Sequence, residues 1–258
     1  MSNFAQLKTM TNSLKLSGLT DTIELRIREA ETSQLSYSEM LCLVLQDEIQ
    51  TRRNRKLDRL ISKAKLRNNQ TLESFDFSVN PSINATLIKE LATCRFIEKG
   101  ENIFFIGPTG VGKTHLAQAI AHSACRKFMK VEFYKFSLLF TQLLDADINN
   151  KLDSILKSLI NADLLIIDDF AFKKINQQEA ELLYTIIDAK YLKNSIIITS
   201  NRAIEDWINI FPDPIMANAI LDRLAHNAHQ IIIKGESYRK KNRPILSEST
   251  ASRQNAKV

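Results

Sequence analysis

Apolar residues recur at helical intervals through roughly the first 67 residues of the chain. One stretch runs through Leu19 and Ile23 and a second through Val44 and Ile49, and no strand-like alternation interrupts them. Ser36 and Glu39 have the spacing of a capping box at the start of the second stretch. The pattern predicts a small all-helical N-terminal domain over residues 1–67.

Two segments after this helical region are polar in composition. The chain turns polar from Asn68 and closes that stretch with Asn80-Pro81, whose proline disfavours helix at the residue before it. We therefore expect a linker over residues 68–82. The polar residues 247–258 are expected to form a disordered tail.

Short runs rich in branched and aromatic residues follow the predicted linker, separated by amphipathic segments. Such runs are typical of buried parallel strands joined by crossover helices. They predict a three-layer α/β sandwich over residues 83–246. The runs are Ile103–Ile106, Val131–Tyr134, Leu164–Ile167, Ile196–Ile198 and Ile231–Ile233.

Composition narrows the class of protein. The 258 residues are 44% hydrophobic and 25% charged, which suits one substantial core with a smaller appendage. No apolar run of 18 residues and no secretory signal are present, so we expect a cytoplasmic protein with no membrane contact. Three widely separated cysteines favour reduced thiols over a zinc site or a disulfide framework.

The strongest chemical motif is the segment Gly107-Pro108-Thr109-Gly110-Val111-Gly112-Lys113-Thr114, which fits G-x-x-x-x-G-K-[ST]. It follows a predicted strand and precedes a run of helix formers, and it holds three of the six glycines. Backbone amides of such a loop bind phosphates closely. The motif predicts an ATP site in which Lys113 contacts the β- and γ-phosphates and Thr114 binds Mg²⁺.

Carboxylates follow another predicted strand. Asp168 is expected to hold Mg²⁺ together with Thr114, and Asp169 to orient the attacking water. Taken alone, the two aspartates would more simply cap the next helix, and it is the phosphate loop that favours the magnesium role. Asn201 ends a further strand, and the carboxyl ends of parallel strands meet at one edge, so we expect it near the γ-phosphate; a simple turn-forming role is the alternative.

Together these motifs resemble the AAA+ ATPases, and specifically the IstB-like transposition helpers, which are related to helicase loaders of the DnaC type. The resemblance covers nearly the whole chain. It is carried by Gly107–Ala117, Leu164–Phe170, Thr199–Asn201, Leu221–His226 and Gly235–Arg239, and in the N-terminal part by Leu16–Leu19, Leu35–Glu39, Arg52–Lys56 and Ala64–Arg67.

The resemblance implies further site residues. Arg223 matches the arginine that enters a neighbouring subunit's ATP site, so it implies self-association into an ATP-dependent oligomer; the alternative is a surface ion pair with Asp222 or Glu236. Arg239 is implied as a contact to the nucleotide in its own subunit. Many family members have Asp-Glu where this chain has Asp168-Asp169, so the resemblance leaves the rate of hydrolysis open.

Basic residues concentrate just before the predicted linker. On a helix several of them share one side, which is typical of a stripe that binds DNA phosphates, although a solvated helix face gives the same pattern. No aromatic residues are interleaved, which favours duplex DNA with little sequence preference over a single strand. The predicted DNA contacts are Arg52, Arg53, Arg55, Lys56, Arg59, Lys63, Lys65 and Arg67, with Lys173 and Lys174 beyond the acidic motif. A second basic cluster consists of Lys234, Arg239, Lys240, Lys241 and Arg243.

The resemblance and the motifs favour an ATPase that assembles on duplex DNA and assists a transposase. A DnaC-type helicase loader is the principal alternative. A small-molecule kinase with the same loop would leave Asn201 and Arg223 unused. A module that binds ATP without cleaving it is the remaining possibility.

Overall fold

The computed structural model describes residues 3–238 and begins with three helices. These are α1 (Asn3–Ser13), α2 (Ser17–Ser33) and α3 (Tyr37–Lys63). Ser36 and Glu39 form the predicted capping box at the start of α3, with the Ser36 amide donating to the Glu39 carboxylate at 2.8 Å. A small core of Leu19, Ile23 and Val44 holds α2 against α3.

A buried carboxylate from α3 closes the N-terminal end of α2. Glu48 accepts hydrogen bonds from the amides of Gly18 at 2.8 Å and Leu19 at 3.2 Å, and Arg52 donates to its other oxygen at 2.6 Å. These are amides that a helix start leaves without partners, and a carboxylate also complements the helix dipole. Glu48 thereby fixes the helical hairpin.

The remaining elements form a five-stranded parallel sheet with helices on both faces. The strand order is β2-β3-β4-β1-β5. The strands are β1 (Asn102–Ile106), β2 (Val131–Lys135), β3 (Leu164–Asp168), β4 (Ser195–Ser200) and β5 (Ala228–Ile232). The helices are α4 (Ala85–Leu91), α5 (Arg95–Glu98), α6 (Lys113–Arg126), α7 (Phe136–Ile148), α8 (Leu152–Ile160), α9 (Gln177–Lys190) and α10 (Pro214–Ala225), with short 3₁₀ helices at Phe77–Val79 and Ile204–Ile210.

Alternating strand residues separate the core into two layers. Ile103, Phe105 and Ile166 point into the layer that contains α6. Phe104 and Ile167 point into the opposite layer, which contains residues of α7, α9 and α10. The three-layer α/β sandwich predicted from the short apolar runs is confirmed, and each of the five runs coincides with or overlaps a strand.

The second half of α3 belongs to the packing of the sandwich. Leu57, Leu60 and Ile61 lie against the layer that contains α6. The segment predicted as a linker also packs there, through Leu72, Phe75 and Phe77. One continuous helix therefore joins the N-terminal hairpin to the sandwich, while the division at residues 67 and 83 stays a prediction.

Two further expectations concern the ends of the chain and the membrane. The predicted tail, residues 247–258, lies outside the described residues. Within residues 3–238 no helix is long and apolar enough to cross a membrane.

A fully buried lysine supports the end of α8. Lys190 is 0% exposed, and its ammonium group donates to the carbonyl oxygens of Ala162 at 2.6 Å and Leu159 at 3.3 Å. Burial lowers the pKa of Lys190 to about 8, although the nearby carboxylates of Asp163 and Glu132 oppose the shift. The folded chain consequently binds this proton less tightly than the unfolded chain does.

This difference predicts a pH dependence of stability. Because the folded pKa of Lys190 lies below its unfolded value of 10.5, its contribution is fully present above pH 10.5 and is lost as the pH falls to about 8. Relative to Lys190→Met, the wild-type free energy of unfolding should fall by about 3 kcal/mol over that interval. Urea unfolding of both proteins at several pH values measures it. Parallel pH curves for the two proteins would contradict the assignment.

Candidate functional site

The predicted phosphate loop connects β1 to α6 at the carboxyl edge of the sheet. Lys113 is the first residue of α6 and is buried, and its ammonium group donates to the carbonyl oxygens of Gly107 at 2.7 Å and Pro108 at 2.8 Å. The lysine thus lies along its own loop. The first turn of α6 directs its amide groups and the positive end of the helix dipole at the same region, which is an anion-binding arrangement.

Gly112 cannot be replaced by a larger residue without strain. Its φ of 105° lies in the region that favours glycine, and a Cβ atom there would lie 2.9 Å from the Phe75 ring. Gly110, with φ of 87°, is also left-handed. The loop therefore needs both glycines for its backbone shape, and Gly112 also for its close packing against Phe75.

The Asp168 carboxylate joins the loop to the sheet. Its Oδ1 atom accepts a hydrogen bond from the Thr114 hydroxyl at 2.7 Å and another from the Thr199 hydroxyl at 2.6 Å. Asp168 is 1% exposed, and burial raises the pKa of its carboxyl group while the two hydroxyls partly offset that rise. A carboxylate held in this way gains from a nearby cation.

Thr114 and Asp168 suit Mg²⁺ by the chemistry of their atoms. Both supply hard oxygen ligands, and the two oxygens already lie 2.7 Å apart beside the phosphate loop. Magnesium is commonly held by one or two protein oxygens, with phosphates and waters completing its shell. The donor set therefore fits the ion.

Asp169 and Asn201 are exposed where β3 and β4 end. Asp169 has a left-handed φ of 55°, and its amide donates to the Thr199 hydroxyl at 3.0 Å. The next amide, of Phe170, donates to the Thr199 carbonyl at 2.8 Å, and the Phe170 ring packs in the core against Trp207. These contacts fix a sharp turn in which Asp168 points inward while Asp169 faces solvent.

One cleft of about 690 Å³ is lined by residues 109–114 of the phosphate loop, by Asp168 and Asp169, and by Asn201. The sequence predicted that they would lie together, and the structure brings them together. Sequence reasoning missed a second wall, which comes from residues 65–80 and is held to α6 by His115, whose ring nitrogen lies 3.0 Å from the Thr71 carbonyl oxygen. No motif marks this wall in the sequence. Described residues that line the cleft include Lys65, Arg67, Gln70, Phe75, Asp76, Asn80, Lys135, Leu138, Phe172, Glu236 and Tyr238.

Arg223 is on α10 and is not among the described residues that line the cleft. Its guanidinium group donates to Asp188 at 2.9 Å and to the Ala219 carbonyl at 2.8 Å, and it lies 5.2 Å from the centre of the Tyr184 ring. An ion pair thus exists within the chain, but with Asp188 and not with Asp222 or Glu236. Arg239 lies outside the described residues, as do Lys240, Lys241 and Arg243.

The basic residues of α3 differ in whether they contact an acidic or aromatic side chain. Arg52 bonds Glu48, Lys56 lies over the Phe128 ring at 4.8 Å, and Lys63 pairs with Glu132 at 3.2 Å. Arg53 and Arg59 are exposed, and Arg55 is exposed beside the Ser17 hydroxyl.

Past the acidic motif, the two predicted lysines differ. Lys173 pairs with Glu179 at 2.8 Å, and Lys174 is exposed.

Comparison with known proteins finds similarity along most of the chain. A family model described as "IstB-like ATP binding protein" matches residues 9–245. A protein of insertion sequence IS21 from Pseudomonas aeruginosa, named for ATP binding, is 38% identical over 95% of this chain and 94% of its own length. A similarly named protein from an insertion sequence of Mycobacterium tuberculosis is 35% identical over 92% of this chain and 95% of its own.

Solved structures share the sandwich. The DnaC helicase loader superimposes with a TM-score of 0.57 at 24% identity, covering 65% of this chain and 98% of that chain. DnaA from Aquifex aeolicus bound to AMPPCP has a TM-score of 0.56 at 22% identity, covering 67% of this chain and 53% of that chain. At these identities the likeness establishes the AAA+ fold.

The strain at Gly112 yields a test of the loop. In Gly112→Ala the left-handed backbone and the Phe75 contact distort the loop, and strain of about 1–3 kcal/mol should weaken ATP binding about 5- to 150-fold. Titration calorimetry with MgATP measures this affinity. Gly100→Ala is the matched control, because Gly100 is also left-handed, with φ of 65°, but does not line the cleft. Wild-type affinity in Gly112→Ala would contradict the role of the loop.

Proposed function

The chain belongs to the family of IstB-like ATP-binding proteins, and from this membership we propose that it is a DNA-dependent ATPase that assembles on duplex DNA and assists a transposase. One observation supports the ATPase part above all others: the Asp168 carboxylate touches Thr114 of the phosphate loop and Thr199 at the end of β4. Three motifs that are separate in the sequence therefore meet at one oxygen atom. Relatives at 38% and 35% identity come from insertion sequences, which supports the link to transposition.

In the proposed reaction, Thr114 and Asp168 would hold Mg²⁺, which would offset negative charge on the phosphates. Lys113 turns from its own loop carbonyls to the β- and γ-phosphates. Asp169 accepts a hydrogen bond from the attacking water, and Asn201 orients that water from the neighbouring strand. Asp169 is suited to this role because its turn holds it in the cleft and in contact with solvent.

Arg223 supplies a cation from outside the subunit's own cleft. Its position on α10, away from the described cleft wall, is what a residue acting on a neighbouring subunit requires. Its guanidinium group stabilises the charge that develops on the phosphates. Each ATP site is then completed only by assembly, so ATP binding and oligomer formation depend on one another.

Exposed arginines of α3 hold the DNA. Arg53, Arg55 and Arg59 project from the half of the helix that packs on the sandwich, and Lys174 is exposed two residues after Phe172 of the cleft. Contacts of this kind neutralise phosphates and read little sequence. We assign residues 1–67 to DNA and partner contacts and residues 83–246 to the ATPase, with residues 68–82 joining them.

Mixing two inactive variants tests whether Arg223 acts between subunits. Lys113→Ala removes a phosphate contact from its own site, and Arg223→Ala removes the arginine offered to the next one. Each variant alone should release phosphate on the order of a thousandfold more slowly than the wild type. In mixed assemblies a Lys113→Ala subunit supplies Arg223 to an intact site, so activity should partly return.

Asp188→Ala is the matched control for the mixing experiment. It breaks the same ion pair but keeps Arg223, and an exposed pair contributes only about 0–1 kcal/mol, so this variant should stay active. Failure of the mixture to recover at any ratio would place the role of Arg223 within its own chain.

Capture on immobilised duplex DNA tests the partner. With MgATP, the protein should retain the transposase encoded by the same element, and Lys113→Ala should abolish that retention because nucleotide no longer drives assembly. Retention of a replicative helicase in place of the transposase would overturn the proposal in favour of a helicase loader.

Product analysis separates a transposition helper and a helicase loader from a kinase. Both of these ATPases release free phosphate, whereas a kinase forms a phosphorylated metabolite.

A further inference from the structure

The chain leaves α3 by a turn that redirects its last basic residues. Lys65 has a left-handed φ of 53°, so the helix cannot continue through it. Ala64 and Leu66 on either side of it are buried in the core. Lys65 and Arg67, two residues apart, are exposed on the opposite side and line the nucleotide cleft.

Arg67 is held at this position by two buried polar side chains of α6. The Gln118 side-chain oxygen accepts from the Arg67 amide at 2.9 Å, and a His122 ring nitrogen lies 3.0 Å from the Arg67 carbonyl oxygen. Gln118 and His122 are only 2% and 4% exposed. The backbone is therefore fixed on the helix that begins at the phosphate loop, and the Arg67 side chain is left to face the cleft.

The charge balance of the cleft shows what these two residues contribute. Among its described lining residues the cations are Lys65, Arg67, Lys113 and Lys135. The carboxylates are also four, Asp76, Asp168, Asp169 and Glu236. Without Lys65 and Arg67, two cations would face four carboxylates, and the cleft would repel a polyanion such as a nucleoside triphosphate.

We infer that Lys65 and Arg67 bind the nucleotide, not DNA, and so divide the basic run of α3 by function. Arg53, Arg55 and Arg59 remain the DNA side of the run, and the two residues past the helix end become part of the ATP site. Gln70 lines the same cleft, and its buried Oε1 atom has no hydrogen-bond partner within the described part of the chain. This acceptor would be satisfied by a donor of the nucleotide. The inference depends on ATP binding and is independent of the DNA-binding part of the proposed function.

The inference places the ATP site next to the end of α3, the helix to which DNA contacts are assigned. α3 is continuous from the exposed arginines to its last turn, and the two cleft cations follow within four residues of its end. If α3 also carries the DNA contacts, a nucleotide at Lys65 and Arg67 lies beside the end of the helix that binds DNA. Coupling between ATP and DNA would then pass through a single chain before any subunit contact is made.

Three matched variants of the full chain test the division: Lys65→Gln, Arg67→Gln and, as control, Arg59→Gln. Two affinities are measured for each, MgADP and MgATP in the absence of DNA by calorimetry, and a fluorescent DNA duplex in the absence of nucleotide by anisotropy. Lys65→Gln and Arg67→Gln should each weaken nucleotide binding about five- to tenfold and leave duplex binding unchanged. Arg59→Gln should leave both nucleotide affinities unchanged.

The control also separates this inference from the proposed function. If Arg59→Gln leaves duplex binding intact, the assignment of α3 to DNA fails while the nucleotide result still stands. Unchanged nucleotide affinity in Lys65→Gln and Arg67→Gln would overturn the inference, as would a loss of duplex binding comparable with that of a DNA-contacting arginine. Thermal unfolding of each variant confirms that the affinities refer to folded protein.

Discussion

The site depends on one buried carboxylate. Asp168 Oδ1 accepts hydrogen bonds from Thr114 at 2.7 Å and Thr199 at 2.6 Å, and so fixes the start of α6, the end of β3 and the end of β4 relative to one another. Burial disfavours its charge, and two hydroxyls only partly compensate. A cation bound beside this oxygen would offset the cost of burying its charge.

Much of this could be predicted from the sequence, for identifiable physical reasons. A phosphate loop needs glycines at left-handed positions, and a buried parallel strand needs a continuous apolar run, so Gly112 and the run before Asp168 reveal both elements. The side chains at the ends of β3 and β4 could be placed together because parallel strands end at the same edge. The family resemblance added Arg223, which no local pattern distinguishes from other surface arginines.

The second wall of the cleft could not be predicted in this way. Residues 68–82 are polar and contain Pro81, so they have the composition of a linker, yet Phe75 and Phe77 pack on the core and Gly112 leaves room for the Phe75 ring. The turn at Lys65 is equally hidden, because a left-handed lysine has no signature in a basic run. Both depend on contacts with α6 that are distant in sequence, and they attach the N-terminal helices to the nucleotide site.

We propose that ATP drives the chain to assemble on DNA through sites shared between subunits. The most direct measurement is the mass distribution of the wild-type protein in solution with a short DNA duplex, with MgATP, with MgADP and without nucleotide. With MgATP we expect large complexes that contain several subunits per duplex, and in the other two conditions small species. The same mass distribution in all three conditions would contradict ATP-driven assembly.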